Sequence, residues 1–365
     1  MKLKNIKNNC PICKKNNIQL FNNSSYFYRS FTDNLNYKTN KTNNFICECC
    51  GHIWQYPFPS KYYLSRLYSK SYRKSVDKIE YKKKTCQIPL QFLESRNSFL
   101  RAQSFFNTLN SLKIKIPSRG NLLDIGGYQG LFAWALSSLT GLEAKVIDFN
   151  LDGLKFAEKF LELKTSQIYG DTIKKLNEEE DNYYQLITMI HSLEHLDSPE
   201  RVISKSYSLL NDLGYLYIEV PNSMGSALSD PTHLHTFCKS SLQTLLIKNN
   251  FQPIFIESGP LAHEAVAELQ NNRVVIRALA QKNLGIEKPQ SIIIFPKKIN
   301  YIKEIKKQLN YASIRVIFLL FRNLIKDSFM FIMKVLMWIV FDYVPYGKSI
   351  FRIFRIKIKK ILSKD

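Results

Sequence analysis

Between residues 121 and 222 the chain alternates short apolar runs with stretches whose apolar residues recur every three or four positions. The first run, Leu122-Leu123-Asp124-Ile125, has strand length and enters a glycine-rich turn, Gly126-Gly127-Tyr128-Gln129-Gly130. A helical stretch follows from Leu131 to Leu139. The second strand, Ala144 to Asp148, precedes a helical pattern of Leu151, Leu154, Phe156, Ala157, Phe160 and Leu161. A third strand spans Ser166 to Tyr169, just before Gly170-Asp171, and a fourth spans Tyr184 to Ile190. The helix Ser198 to Leu210 has Pro199 in its first turn, where proline is well tolerated. A fifth strand, Gly214 to Asn222, and a helix, Lys239 to Lys248, complete the series. Strands alternating with helices predict an open parallel sheet that takes its ligand at the carboxyl ends of the strands.

The turn after the first strand has chemical content. Glycines there let the backbone bend sharply and approach a ligand. An acid at the strand end, with no lysine in the loop, argues against a phosphate-cradling P-loop. Asp148 follows Asp124 by 24 residues, near the spacing of about 20 expected of a ribose-binding carboxylate. His191, Glu194 and His195 spell a spacing known from zinc peptidases. That chemistry needs a regular helix, whereas these residues fall on a loop or first turn between a buried strand and Pro199.

The ordered set Leu-Leu-Asp-Ile-Gly, Val-Ile-Asp, Leu-Ile-Thr-Met-Ile-His-Ser-Leu-Glu-His-Leu and Gly-Tyr-Leu-Tyr-Ile-Glu-Val-Pro-Asn resembles the class I S-adenosylmethionine (SAM)-dependent methyltransferases over residues 95 to 282. The resemblance implies a Rossmann-like α/β fold: a seven-stranded, mostly parallel sheet with helices on both faces. It also implies a cofactor loop of Asp124, Gly126, Gly127 and Gly130. Asp148 would meet the ribose hydroxyls, Phe149 the adenine ring, and Asp171 the adenine amino group. Tyr128 stands where the family often has glycine, and predicts a narrower pocket or an altered loop path. The loop with His191 and His195 would flank the bound methyl group. A related O-methyltransferase group uses acids and a histidine there for a divalent ion; His191 replaces the first acid.

Near the amino terminus, Cys10-Pro-Ile-Cys13 and Cys47-Glu-Cys-Cys50 form two Cys-x-x-Cys pairs in a segment with little core pattern. Four thiolates suit a closed, structural Zn2+ site with no open catalytic position. Two disulfides are the rival reading. The first nine residues lack the apolar stretch of a secretory leader, which predicts a reducing cytoplasm and favours zinc. The knuckle, the Pro57-Phe58-Pro59 turn and Tyr68-x-x-x-Tyr72 extend the resemblance to residues 8 to 282. They resemble a bacterial subgroup that includes sugar C-methyltransferases and surface-polysaccharide methyltransferases. In those relatives a Glu-His-x-x-x-Phe segment supplies acid/base groups. Here His233 and Phe237 match, Thr232 replaces the glutamate, and His235 is a second candidate. Histidine titrates in the range such work needs, and loss of the glutamate leans towards O-methylation.

The predicted organisation is a zinc-ribbon-like domain with a Pro/Tyr linker at 1–75, a methyltransferase domain at 76–285 and a helical extension at 286–365. The net charge of +22, from 52 Lys and Arg against 30 Asp and Glu, would attract phosphorylated substrates. No RNA-binding signature accompanies it, so no nucleic-acid partner is expected. Within residues 314–362 charges interrupt every apolar run, so none is long enough to span a bilayer. Its Ser349–Leu362 segment carries Ile350, Phe354, Ile358 and Ile361 on one helical face with basic residues around them. Such a helix suits either an anionic membrane surface, at the inner face of the membrane, or packing on a protein. The expected acceptor is a nucleotide sugar or lipid-linked glycan. A small aromatic or quinone-like lipid is the enzymatic alternative, and a non-catalytic scaffold the other.

Overall fold

The apolar runs form the middle of a seven-stranded sheet. The computed structural model describes residues 9–24, 42–58, 64–65, 67–68, 90–223, 232–259 and 275–284. The extension expected over 286–365 and its basic face lie outside the described residues, as does Tyr72. No helix among the described residues is long and apolar enough to cross a membrane.

Three strands, β1 (Ile18–Ser24), β2 (Thr42–Cys47) and β3 (Ile53–Tyr56), come first, followed by α1 (Leu90–Ser111). The alternating series is then β4 (Asn121–Ile125), α2 (Leu131–Thr140), β5 (Glu143–Asp148), α3 (Leu151–Leu161), β6 (Lys164–Gln167), α4 (Thr172–Leu176), β7 (Tyr184–Ile190), α5 (Pro199–Leu209) and β8 (Leu210–Pro221). It closes with β9 (His235–Thr236), α6 (Lys239–Lys248), β10 (Phe251–Gly259) and β11 (Val275–Lys282). The sheet order is β10-β11-β8-β7-β4-β5-β6. Every neighbouring pair from β8 to β6 is parallel, and β11 runs antiparallel to both its neighbours. This is the Rossmann-like architecture expected. Central strands buried on both faces need near-continuous apolar runs, and Leu122, Leu123, Leu186, Ile187, Leu216 and Ile218 are all fully buried.

Two boundaries move. The third strand of the series ends at Gln167, which pairs with Asp148, so Tyr169 projects into solvent at 75% exposure. The fifth begins four residues earlier than its apolar pattern, because Leu210 already pairs with Tyr184. The register then shifts between Tyr184 and Leu186, which lets Asn211 to Gly214 of β8 bulge before Tyr215 pairs with Leu186.

A second, four-stranded antiparallel sheet has the order β1-β2-β3-β9. Its fourth strand comes from residues 235–236, beyond β8, and pairs Thr236 with Ile53 and His235 with Trp54. The cysteine-rich segment therefore does not sit apart. Cys10, Ile12, Phe45, Cys47, Cys50 and Trp54 share one buried cluster with Phe237, Leu242 and the β7–β8 core.

Candidate functional site

The loop after β4 is shaped by backbone sterics. Gly126 adopts φ 79°, and a Cβ there would come within 2.5 Å of the Ser192 Cβ. Gly130, at φ 69°, starts α2 in the left-handed region that glycine tolerates. Gly127 lies over the carboxylate of Asp124. Tyr128 is itself left-handed, with φ 51°. Its ring packs on Gly153 of α3, where an added Cβ would be 2.6 Å from it. A glycine in the neighbouring helix thus makes room for the tyrosine.

Beside this loop lies a cavity of about 480 Å³, lined among others by Gly126, Tyr128, Asp148, Phe149, Asn150 and Asp171. Asp148 accepts hydrogen bonds from the Tyr128 N–H (3.0 Å) and the Asn150 N–H (2.7 Å). Those bonds fix the carboxylate at the cavity wall. Asp171 caps α4 by accepting from the Ile173 N–H at 2.9 Å. Asp124 does not line the cavity. It is 1% exposed, accepts from the Thr188 hydroxyl at 2.7 Å, and leaves its Oδ2 without a hydrogen bond. Burial pushes its carboxyl up to about 7, although the Thr188 hydroxyl opposes the shift.

The same cavity is also lined by His191, Glu194, His195 and His233, with Leu64, Ser65 and Tyr68 from the amino-terminal part. Leu193–His195 form a single 3-10 turn, not the regular helix a peptidase would need. The Nδ1 of His195 faces the Thr232 carbonyl at 3.0 Å and the Tyr68 hydroxyl at 3.1 Å. Glu219, fully buried on β8, accepts from Arg101 Nε and Arg277 Nε, each at 2.8 Å, and from His191 Nε2 at 3.1 Å. Burial alone would raise the Glu219 carboxyl; Arg101, His191 and Arg277 more than offset it and hold it well below the usual range. His191 is raised to about 9: desolvation opposes the charge, but Glu194 and Glu219 outweigh it. It is therefore an imidazolium at neutral pH and a poor proton acceptor.

His235 departs from its expected place. It is fully buried and stacks on His52 at 5.2 Å, with His52 Nε2 and His235 Nδ1 2.9 Å apart. Burial pushes it down to about 3. Pairing of β9 with β3 turns this side chain into the seam, away from the cavity lining, while His233, two residues earlier, reaches the cavity. Residues beyond the expected set also matter here. Tyr68, Arg101, Glu194 and Glu219 all shape this part of the lining. The one signal for Glu219 was a lone acid inside the apolar run Leu216 to Val220.

Cys10, Cys13, Cys47 and Cys50 converge, their sulfurs all within 4.8 Å of one another. Cys10 and Cys50 sulfurs are 3.7 Å apart, and those of Cys13 and Cys47 are 3.4 Å apart. Tetrahedral zinc with bonds of about 2.3 Å would set its sulfurs about 3.8 Å apart, so the four thiols fit that ion. Cys49 is exposed and outside the cluster. The cluster is anchored to α6: Ser240 Oγ donates to the Cys50 carbonyl at 2.7 Å, and Lys248 Nζ to the Cys13 carbonyl at 2.9 Å.

Residues 96–254 match the family model described as a methyltransferase domain. Among solved structures, a SAM-dependent methyltransferase from Archaeoglobus fulgidus is similar at 23% identity, covering 50% of this chain and 94% of that one, with a TM-score of 0.40. A putative sarcosine dimethylglycine methyltransferase from Galdieria sulphuraria is similar at 14% identity, covering 50% and 86%, with a TM-score of 0.42. A putative SAM-dependent methyltransferase from Listeria monocytogenes is similar at 15% identity, covering 50% and 99%, with a TM-score of 0.40. No curated protein matches the chain. The family model, with the sheet and glycine loop it spans, defines a methyltransferase domain over residues 96–254. The protein is accordingly a methyltransferase.

Proposed function

We propose that the protein transfers a methyl group from SAM to a hydroxyl of a sugar acceptor, as a nucleotide sugar or lipid-linked glycan. The observation that carries this is one cavity lined by two chemically distinct sets of residues. One is the glycine loop with Asp148, Phe149 and Asp171. The other is a polar set of His191, Glu194, His195 and His233. Its density of hydrogen-bonding groups favours an acceptor rich in hydroxyls over a flat apolar one. The resemblance to sugar-modifying relatives supports the same class, and the +22 charge would draw in a phosphorylated carrier.

When bound, SAM supplies an electrophilic methyl on its sulfonium. Asp148, already oriented by two backbone donors, would hold the ribose hydroxyls; Phe149 would lie against the adenine and Asp171 near its amino group. The polar set orients the acceptor oxygen and removes its freedom, which accounts for much of the rate in such a displacement. His195 and His233 are the imidazoles that would meet the acceptor beside His191, since His235 is buried outside the cavity. The four cysteines would hold a structural zinc that takes no part in the transfer.

A panel of nucleotide sugars, lipid-linked glycans and quinone-like phenols, assayed with labelled SAM, tests the reading. Label appearing on a sugar oxygen supports it. Label on a phenol alone, or tight SAM binding with no transfer to any sugar, overturns it.

A further inference from the structure

Glu194 is 1% exposed, yet neither carboxylate oxygen has a hydrogen bond. The nearest ring nitrogens are His191 Nδ1 at 3.5 Å and His195 Nε2 at 3.9 Å, both longer than an ordinary hydrogen bond. With the His191 imidazolium at 3.5 Å and no hydrogen bond, this buried carboxylate keeps room for a cation seated closer.

The two histidines beside it are prepared in a telling way. A carbonyl oxygen only accepts, so the Nδ1 of His195, 3.0 Å from the Thr232 carbonyl, must carry the proton. In the neutral ring the lone pair then sits on Nε2, the nitrogen turned towards Glu194. A ring nitrogen anchored to a carbonyl, with the other nitrogen left basic, is how metal-binding histidines are oriented. His233 supplies the third donor. One ligand atom each from Glu194, His195 and His233 lies within 4.8 Å of the other two. The His233 backbone is held in turn, because Gln55 Nε2 donates to its carbonyl at 3.0 Å and the Gln55 N–H to the Leu234 carbonyl at 3.0 Å.

We infer that Glu194, His195 and His233 form a divalent transition-metal site in the acceptor part of the cavity, separate from the four-cysteine site. Two imidazoles and one carboxylate suit Mn2+, Fe2+, Co2+ or Zn2+, and three protein donors leave positions open for an acceptor oxygen. Its role rests on the methyl-transfer reading above, though the site itself does not. A hydroxyl bound to the cation loses its proton more easily. The O–H bond then breaks with the proton passing to water. The new C–O bond forms as the sulfonium C–S bond breaks, and that electron pair stays on sulfur. His233 then acts as a ligand, not as the proton acceptor.

Mn2+ is the probe, because it favours nitrogen and oxygen donors over thiolates. The full chain, loaded with zinc so that the cysteines are filled, is titrated with Mn2+ and followed by electron paramagnetic resonance, with SAM binding measured on each sample. We expect one Mn2+ per chain, with affinity at least tenfold weaker in Glu194→Gln and in His233→Ala while SAM still binds. No Mn2+ bound by the unaltered protein, or equal binding by both variants, overturns the site and leaves His191 as the sole counter-charge for Glu194. Loss of SAM binding in the unaltered protein would instead count against the methyltransferase reading.

Discussion

At the level of single side chains, three carboxylates differ in what surrounds them. Asp148 is held by two backbone donors and faces the cavity. On its proposed role, replacing it with alanine would remove its bonds to the ribose hydroxyls. Charge-assisted bonds contribute roughly 1.5–3 kcal/mol each, so SAM affinity measured by calorimetry should fall by about tenfold or more. Unchanged affinity would refute that role. Asp124 is buried with one oxygen unbonded, and its folded pKa of about 7 stands above the ordinary 3.9. The folded state thus binds the extra proton. Stability from this group is complete below about pH 4 and is lost as pH rises towards 7. Asp124→Asn removes that dependence, so its stability relative to the unaltered protein should improve from pH 5 to pH 8 in urea titrations without cofactor. A difference that stays flat with pH would contradict the assignment. Glu219 is the reverse case, a buried charge with Arg101 and Arg277 both bonded to it. Glu219→Gln strands two guanidinium groups, and the expected loss is about 3–5 kcal/mol, read from the same titrations. A loss below about 1 kcal/mol would mean that water satisfies the arginines.

Among the elements, β9 is the smallest and ties the most together. Its two residues extend the antiparallel sheet of the cysteine module, while the residues just before it carry His233 to the cavity. Metal at the cysteines should therefore be felt at a site on the far side of that sheet. In Cys13→Ser protein, hydrogen exchange should quicken across residues 232–238 while β4 and β5 remain protected. Equal protection of 232–238 with and without the metal would show that α6 alone holds the segment. The parallel strands were legible from their apolar runs because burial on both faces leaves little choice of residue. The glycine turn after β4 and the clustering of the four cysteines were legible because spacing along the chain fixes their geometry. The pairing of His235 with His52 was not, since it joins positions 183 residues apart through a strand of two residues. Nothing periodic marks so short an element. Glu194 was visible as a letter in His-x-x-Glu-His, but its unbonded burial depends on Thr232 and Tyr68 turning His195, which no local pattern encodes.

For the molecule as a whole, the two sheets share a core, and the amino-terminal part lends Leu64, Ser65 and Tyr68 to the cavity lining. Leu234, His235, Phe237 and Cys238 are each at most 4% exposed. Cys238 also lies 3.1 Å from the Cys50 carbonyl. A chain begun at Leu90 would uncover this strip together with an unpaired strand edge, and such surfaces promote association. Light scattering of that truncated protein should report aggregation where the full chain stays dispersed; a well-behaved monomer would count against the shared core. The reach of β9 also bears on descent. The methyltransferase domain and the cysteine module cannot be exchanged among proteins as independent cassettes, because part of each is written in the other's stretch of gene. A lineage that discards the cysteine module must rewrite residues 233–238 in the same step, and one that acquires it must invent a strand to receive it.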